Sequence, residues 1–303
     1  MSLSSNSSPS SERYVGRFAP SPTGPLHFGS LVCALGSYLD AIAHGGHWLI
    51  RMEDLDPPRE VPGAAERILH SLHTHGLHSH SPVVWQSKRH DLYQHALQQL
   101  RAQDQIYPCS CTREQVRRAG GHTKANCIGE SGPHSLRFQC AGAREGFTDI
   151  WQGAQQQAID EDPILKRKDG LYAYQLAVVV DDIAQGVNHV VRGADLLDCT
   201  GIQRCLFRAL GAEPPQFGHL PLVMNEAGQK LSKQNHAAPL DDNKASSNLI
   251  QALGFLGLRP SQDLAANTPA HILVWASAHW QRKAVDRHNR RSTNSTTATP
   301  GNS

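Results

Sequence analysis

Two segments far apart in this chain carry residue types suited to handling phosphate. The first runs from Arg17 through Phe18, Ala19, Pro20, Ser21, Pro22, Thr23, Gly24, Pro25, Leu26, His27, Phe28 and Gly29 to Ser30. Tyr14 to Ala19 reads as a short strand, and Pro20, Pro22, Gly24 and Pro25 then forbid regular structure and build a stiff turn. From Leu26 to Ala43 the apolar positions Leu31, Ala34, Leu35, Tyr38, Leu39 and Ile42 follow helical spacing. His27 and Gly29 therefore fall near a helix start, where free N–H groups and a partial positive charge suit phosphate. His27 can donate to a phosphate oxygen, and Gly29 lets a nucleotide approach the backbone closely. The second segment is Lys230, Leu231, Ser232 and Lys233, which follows the apolar run Leu220–Met224 and the turn Asn225–Gly228. Two lysines flanking a serine on a Gly-hinged loop form a cationic lid for the charge that builds on a transferring phosphoryl group. Taken singly, each has a plainer reading: a βα unit with a helix-start histidine, and a solvated Lys-rich loop. No G-x-x-x-x-G-K-[ST] or G-x-G-x-x-G cradle competes with them.

Further charges fall where a ligand would sit. Arg17 and Glu53 follow strand-like stretches, and in open α/β sheets ligands bind beyond the carboxyl ends of the strands. A free acidic amino acid needs a cation for its side chain and an anion for its ammonium. Arg17 can grip a carboxylate bidentately, and Arg192 supplies a second cation. Glu53 can pair with an ammonium, and Tyr174 offers a hydroxyl. For each of these, a structural ion pair is the plainer reading. Cys109, Cys111 and a third cysteine, Cys127, form a candidate Zn²⁺ site, with ordinary buried cysteines as the alternative. Cys140 is a further candidate. Cys33, Cys199 and Cys205 lie on expected helix faces and read as core. His70, His73, His75, His78 and His80 cluster loosely without ligand geometry.

These residues need a scaffold, and 303 residues suffice for one large α/β domain with a small insert. The expected layout is a strand-turn-helix over 14–44, a strand at Trp48–Arg51, and helices over 63–74 and 90–104. An irregular stretch over 107–146 and a strand-rich one over 147–193 follow. A helix at 198–210, a strand at 219–224 and a helix from Ala245 to Leu256 complete it. The longest apolar run, Leu176–Val180, reads as a buried strand of a parallel sheet ended by Asp181 and Asp182. A net charge of +2 and a pI of 8.2 demand that any RNA contact come from a local patch. The seven cysteines are odd in number and lack the spacing of a secreted scaffold, so a reducing, cytoplasmic setting is expected. Residues 1–12 are Ser-rich with no signal-peptide core, and no run is long enough to span a bilayer. Residues 1–12 and 291–303 are expected to be disordered.

Together, the two phosphate segments resemble the HIGH and KMSKS signatures of the class I aminoacyl-tRNA synthetases. Arg51-Met52-Glu53-Asp54 and Val191-Arg192-Gly193-Ala194-Asp195 resemble the glutamate-pocket motifs of the glutamyl type. Two further strings, Glu53–Glu60 and Lys230–Ala237, resemble the glutamyl-queuosine tRNA(Asp) synthetase branch, and the resemblance spans 14–260. It implies a Rossmann-like class I catalytic domain with an inserted subdomain. The implied parts are a first half over 13–106, an insert over 107–193, a second half over 194–240 and a helical part over 241–290. His27 and Lys233 are the implied catalytic residues, and Gly29, Lys230 and Ser232 join them around ATP. Arg17, Phe18, Ala19, Pro20, Ser21, Glu53, Tyr174 and Arg192 are the implied glutamate contacts. Arg17 and Arg192 are expected on the side-chain carboxylate and Glu53 on the amino group. The family places a tyrosine four residues before the last zinc-site cysteine; Thr123 stands there in this chain, and His122 beside it is the better ligand. After the lysine loop only about 70 residues remain, too few for the anticodon-binding region of ordinary glutamyl-tRNA synthetases. The implied reaction is tRNA-independent activation of L-glutamate by Mg²⁺-ATP and transfer to queuosine in tRNA(Asp), by a monomer carrying one Zn²⁺. A truncated glutamyl-tRNA synthetase charging a 3′ end is the alternative. A non-catalytic zinc-dependent RNA-binding module is the other, and His27 with the lysine loop argues against it.

Overall fold

The computed structural model describes residues 13–129, 132–224 and 238–286. The expectations for the two termini and for Lys230, Ser232 and Lys233 lie outside them. β1 (Val15–Phe18) leads through the proline-rich turn into α1 (Phe28–Ala43) and β2 (His47–Met52). α2 (Ala64–Thr74), β3 (Val84–Trp85) and α3 (His90–Ala102) follow. Next come β4 (Ile106–Cys109), α4 (Arg113–Arg118), β5 (Ser135–Phe138), β6 (Arg144–Asp149), β7 (Gly153–Ala158) and β8 (Ile164–Lys166). α5 (Tyr174–Ala184), β9 (His189–Gly193), α6 (Thr200–Ala209) and β10 (Gln216–Leu220) return to the main body. α7 (Ala245–Phe255) and α8 (Pro269–His279) close it.

The parallel strands form two groups, β1-β2-β3 and β9-β10. Asn188 joins them: its backbone N–H donates to Val15 O (3.1 Å) and its side-chain oxygen accepts from Val15 N (2.8 Å). From β1 the chain builds outward through β2 to β3 on one side, and from β9 to β10 on the other. The order therefore reverses between β1 and β9, and such a switch point opens a crevice at the carboxyl ends of the strands. α1 covers this sheet because its apolar stripe matches the helical period, with Leu31, Leu35 and Leu39 fully buried against Trp48 and Leu220. Cutting Leu35 to alanine would cost about 2–5 kcal/mol of stability. The stretch between α3 and α5 departs from parallel order: β4-β5-β8 pair antiparallel, and β6-β7 form a hairpin. β9 falls within the stretch 107–193 yet pairs with β10 in the parallel array.

Leu176–Val180 is not a strand. It is the body of α5, and every residue from Leu176 to Asp182 is buried. A short apolar run cannot be told from a helix enclosed on all sides by periodicity alone. Asp181 and Asp182 misled as terminators because they continue the helix inward, where arginines meet them. β10 likewise ends at Leu220, so Pro221 to Val223 form its loop rather than the end of a strand.

Candidate active site and metal cluster

A cavity of about 430 Å³ opens at the switch point. The end of β1 and the turn after it contribute Arg17, Phe18, Ala19, Pro20 and Ser21, and the start of α1 contributes His27 and Gly29. β2 ends at the cavity in Glu53, α5 starts there with Tyr174, and β9 ends there with Arg192. Every described residue expected to touch nucleotide or amino acid thus lines one space, drawn together by strand ends and helix starts. Pro221, Leu222 and Val223 line it as well. Beyond the undescribed segment, Pro239 bridges to His27 and Leu240 N donates to Leu26 O (2.9 Å). One described flank of the lysine segment thus lines the cavity, and the other pairs with Leu26 and His27, which line it. Gly193 keeps its wall open, since a Cβ there would lie 2.5 Å from Asp195 Oδ1 and 3.3 Å from Leu222.

His27 is the N-cap of α1, and its Nδ1 accepts from Ser30 N at 3.3 Å. That bond assigns the ring proton to Nε2, leaving a donor on the other edge. Arg17 is oriented from behind: its Nε donates to Asp182 at 3.2 Å, so the carboxylate occupies one edge of the guanidinium. Asp182 also meets the fully buried Arg51, whose Nη2 lies 2.7 Å away. Burial opposes the charge on Asp182, but Arg17 and Arg51 outweigh it and hold the carboxyl below its ordinary range. Glu53 fares differently. Burial pushes its carboxyl up to about 7, against the pull of Arg51 and Arg17. Its Oε1 is buried with no hydrogen-bond partner among the described residues, although Arg51 stands 3.7 Å off. A buried carboxylate short of donors fits a cationic ligand group.

Arg192 is held on all sides. Its Nε donates to His219 Nε2 (3.0 Å), and one Nη donates to Gln203 (2.8 Å) and to the Tyr174 hydroxyl (3.5 Å). The other Nη donates to Thr200 (2.9 Å) and Leu196 O (3.2 Å), and the group lies over the Phe217 ring. A direct contact with the ligand's side-chain carboxylate, as the family resemblance implies, would have to displace some of these partners; its charge and the bond to Tyr174 reach the cavity as it stands. Behind it, Asp149 Oδ2 lies 2.5 Å from His219 Nδ1. Burial, with Arg192 nearby, holds the His219 imidazole below its ordinary value. The neutral ring therefore donates to Asp149 and accepts from Arg192. Asp149, Asp182 and His219 escaped sequence reasoning. For Asp182 a signal existed: in a helix, Tyr174 and the positions seven and eight residues on share a face.

The cysteine cluster forms separately. Cys109, Cys111, His122 and Cys127 bring one ligand atom each to within 4.8 Å of one another. Cys109 Sγ lies 3.1 Å from His122 Nε2. Tyr107 donates its hydroxyl proton to Asp162 (2.8 Å) and so accepts from His122 Nδ1 (3.1 Å). This chain turns the Nε2 lone pair toward the thiols, as an outer shell does for a metal-bound histidine. Burial, with Arg137 nearby, keeps the ring neutral by holding it below its ordinary value. Three sulfurs and one imidazole nitrogen are a tetrahedral zinc set. Thr123 is outside the cluster and starts the next turn, its N–H on Asn126 Oδ1 (2.8 Å). Cys140 is also outside it, buried against the Asp162 loop. All seven cysteines are free thiols.

Comparison with known proteins places these observations. The family model for the catalytic domain of class I tRNA synthetases (E and Q) matches residues 14–130 and 119–289. The glutamyl-Q tRNA(Asp) synthetase of Idiomarina loihiensis is 46% identical over 276 residues, covering 89% of this chain and 98% of its own. The Salmonella typhi protein of the same name is 47% identical over 279 residues, 90% of this chain and 93% of its own. In structure, a glutamate-tRNA synthetase from Elizabethkingia anophelis superposes with a TM-score of 0.79 at 24% identity, over 93% of this chain and 68% of that one. No helix among the described residues is long and apolar enough to cross a membrane.

Proposed function

Because the chain belongs to the glutamyl-Q tRNA(Asp) synthetase family of class I synthetases, we propose that it activates glutamate with ATP and passes the glutamyl group to queuosine in the anticodon of tRNA(Asp). One observation carries this reading: the helix start bearing His27 and the charges of Arg17, Glu53 and Arg192 face a single cavity at the switch point. Activation needs no tRNA, since the two pocket arginines, Arg17 and Arg192, are already held by partners within this chain.

The glutamate α-carboxylate is ionised at neutral pH and requires no base. One of its oxygens attacks the α-phosphorus in line, the bond to the β-phosphate breaks, and pyrophosphate leaves with the electron pair. Mg²⁺ travels with the ATP phosphates. His27 donates from Nε2 to phosphate oxygens beside the N–H groups of α1, and Lys230, Ser232 and Lys233 meet the leaving charge from the second segment. Arg17 grips the side-chain carboxylate with its terminal nitrogens, Arg192 adds charge and orders Tyr174, and ionised Glu53 takes the ammonium. In the second step a queuosine hydroxyl attacks the acyl carbon, AMP departs, and the hydroxyl proton is released. Cys109, Cys111, His122 and Cys127 hold one Zn²⁺, which fixes the loops around α4. We take the working unit as a monomer, since the described residues that line the cavity all belong to one chain. The test is glutamate-dependent ATP–pyrophosphate exchange without RNA, then transfer to tRNA(Asp) with and without queuosine. Exchange that strictly requires tRNA, or charging of a 3′ end, would refute it.

A further inference from the structure

A second depression, about 230 Å³, lies between α3 and the turn that follows β8. Arg101 and Gln98 line it from α3, His134 from the start of β5, and Lys166, Arg167 and Lys168 from the end of β8. No aspartate or glutamate is among the residues that line it. Arg167 pairs with Asp56 (3.5 Å) and Asp169 (2.6 Å). Arg101, Lys166 and Lys168 have no carboxylate partner among the described residues, and the two lysine ammonium groups are held in place. Lys166 Nζ sits 5.0 Å over the Tyr172 ring. Lys168 Nζ donates to Ser110 O (2.8 Å) and Cys111 O (3.2 Å).

Those anchors fix where the cleft stands. Lys168 ties it to the cysteine cluster through the backbone of Cys111. Arg167 ties it to Asp56, on the loop that leaves the active-site cavity at Glu53. Tyr172 is two residues before Tyr174, which lines that cavity. The cleft thus lies along the chain between the metal cluster and the active site. Its cations, Arg101 on α3 and Lys166, Arg167 and Lys168 in a row at the end of β8, are exposed or half-buried rather than converging on one buried point. That arrangement suits a chain of phosphates better than a single small anion. A chain with a net charge of only +2 needs such a local patch to hold nucleic acid.

We propose that this cleft is the docking track for the phosphodiester backbone of the RNA substrate, leaving the reacting nucleoside at the neighbouring cavity. The inference rests on the proposed transfer to RNA, but its test does not depend on transfer. The probe is an unmodified tRNA(Asp) transcript, titrated at several salt concentrations against the full-length protein. The variants are Arg101→Gln/Lys166→Gln and, as a control on charge alone, Lys244→Gln/Lys283→Gln, with exchange measured in parallel. For the cleft variant, RNA affinity should fall about tenfold or more, and the slope of log K against log salt should shrink by about 1.5, the value for two lost phosphate contacts. Exchange with glutamate should stay within about twofold of wild type, and the control should bind as wild type does. Unchanged affinity and slope in the cleft variant, an equal loss in the control, a parallel collapse of exchange, or no RNA binding by the wild-type protein would each overturn the proposal. Failure of the wild-type protein to exchange pyrophosphate would instead strike the proposed function, while the RNA titration still decides the cleft.

Discussion

If Glu53 takes the ammonium as proposed, the affinity for glutamate should depend on pH, and the raised carboxyl pKa sets the direction. Burial raises its carboxyl to about 7 in the empty pocket, despite Arg51 and Arg17 nearby. The ligand's ammonium requires the ionised form, so a proton on Glu53 and glutamate in the pocket exclude each other. With the folded value above the ordinary one, proton uptake begins near neutrality, and binding weakens as pH falls through 7. The ionised fraction is roughly nine-tenths at pH 8 and roughly one-tenth at pH 6. The KM for glutamate should therefore rise about tenfold between those values, approaching a tenfold change per pH unit below 6, which is about 1.4 kcal/mol per unit. The KM for ATP should change little. Glu53→Gln removes the titrating group and leaves a buried ammonium facing an amide. At pH 8 this costs about 3 kcal/mol, or a KM raised on the order of a hundredfold, and the remaining pH profile should be flat. Glutamate-dependent exchange at fixed saturating ATP over pH 6–8 measures both. A wild-type KM that stays level across this range, or a Gln variant that keeps the slope, would show that another group binds the ammonium.

Three further outcomes are expected. Lys233→Ala should lower kcat for exchange by about two orders of magnitude, with the KM for glutamate nearly unchanged, because its charge serves the transition state; a raised KM at constant kcat would reassign it. Arg192→Ala should impair glutamate use, and His219→Ala should do so more weakly by loosening Arg192 and Tyr174, each with ATP binding largely intact; parallel loss of ATP affinity in both would make the unit a structural one. Purified protein should hold about one zinc per chain, retention should fall in His122→Ala and not in Thr123→Ala by elemental analysis, and exchange should partly survive chelation; a zinc-free protein with full transfer activity would leave the cysteines without a metal role.

The start of α1 was legible because its signals are local. Prolines and glycine enforce the turn, the apolar spacing enforces the helix, and His27 follows from both. Arg17, Glu53, Tyr174 and Arg192 were legible as charges and a hydroxyl at element ends, and one cavity collects them. What holds them was not. Asp182 reaches Arg17 across 165 positions, and Asp149 reaches His219 across 70. Such pairs leave no periodic trace in a single sequence. The misassignment of Leu176–Val180 hid Asp182 further, since a strand that stops at Asp181 exposes the very residues that the helix buries.

In the cysteine cluster the candidate fourth ligand, His122, stands one position from where the family places its tyrosine. At position 123 the hydroxyl is a poor ligand, and a reading by aligned positions alone would lose the site. The backbone resolves this differently. His122 is buried and turned inward, while Thr123 opens the short turn Lys124–Asn126. The inward turn needs a partner for Nδ1, and Tyr107 supplies it only because Asp162 takes the tyrosine's proton. Asp162 is itself fixed by the N–H groups of Lys124, Cys140 and Ala141. The proposed switch from a phenol to an imidazole ligand would thus rest on a whole hydrogen-bonded loop rather than on one residue. Asp162→Asn tests that dependence apart from the ligands themselves. With the tyrosine's proton no longer claimed by a carboxylate, the His122 ring loses its fixed tautomer, and zinc affinity should fall about 10- to 100-fold, as for other outer-shell changes. The thiols remain in place, so a chelator competition that finds no change would show that the imidazole is not a ligand.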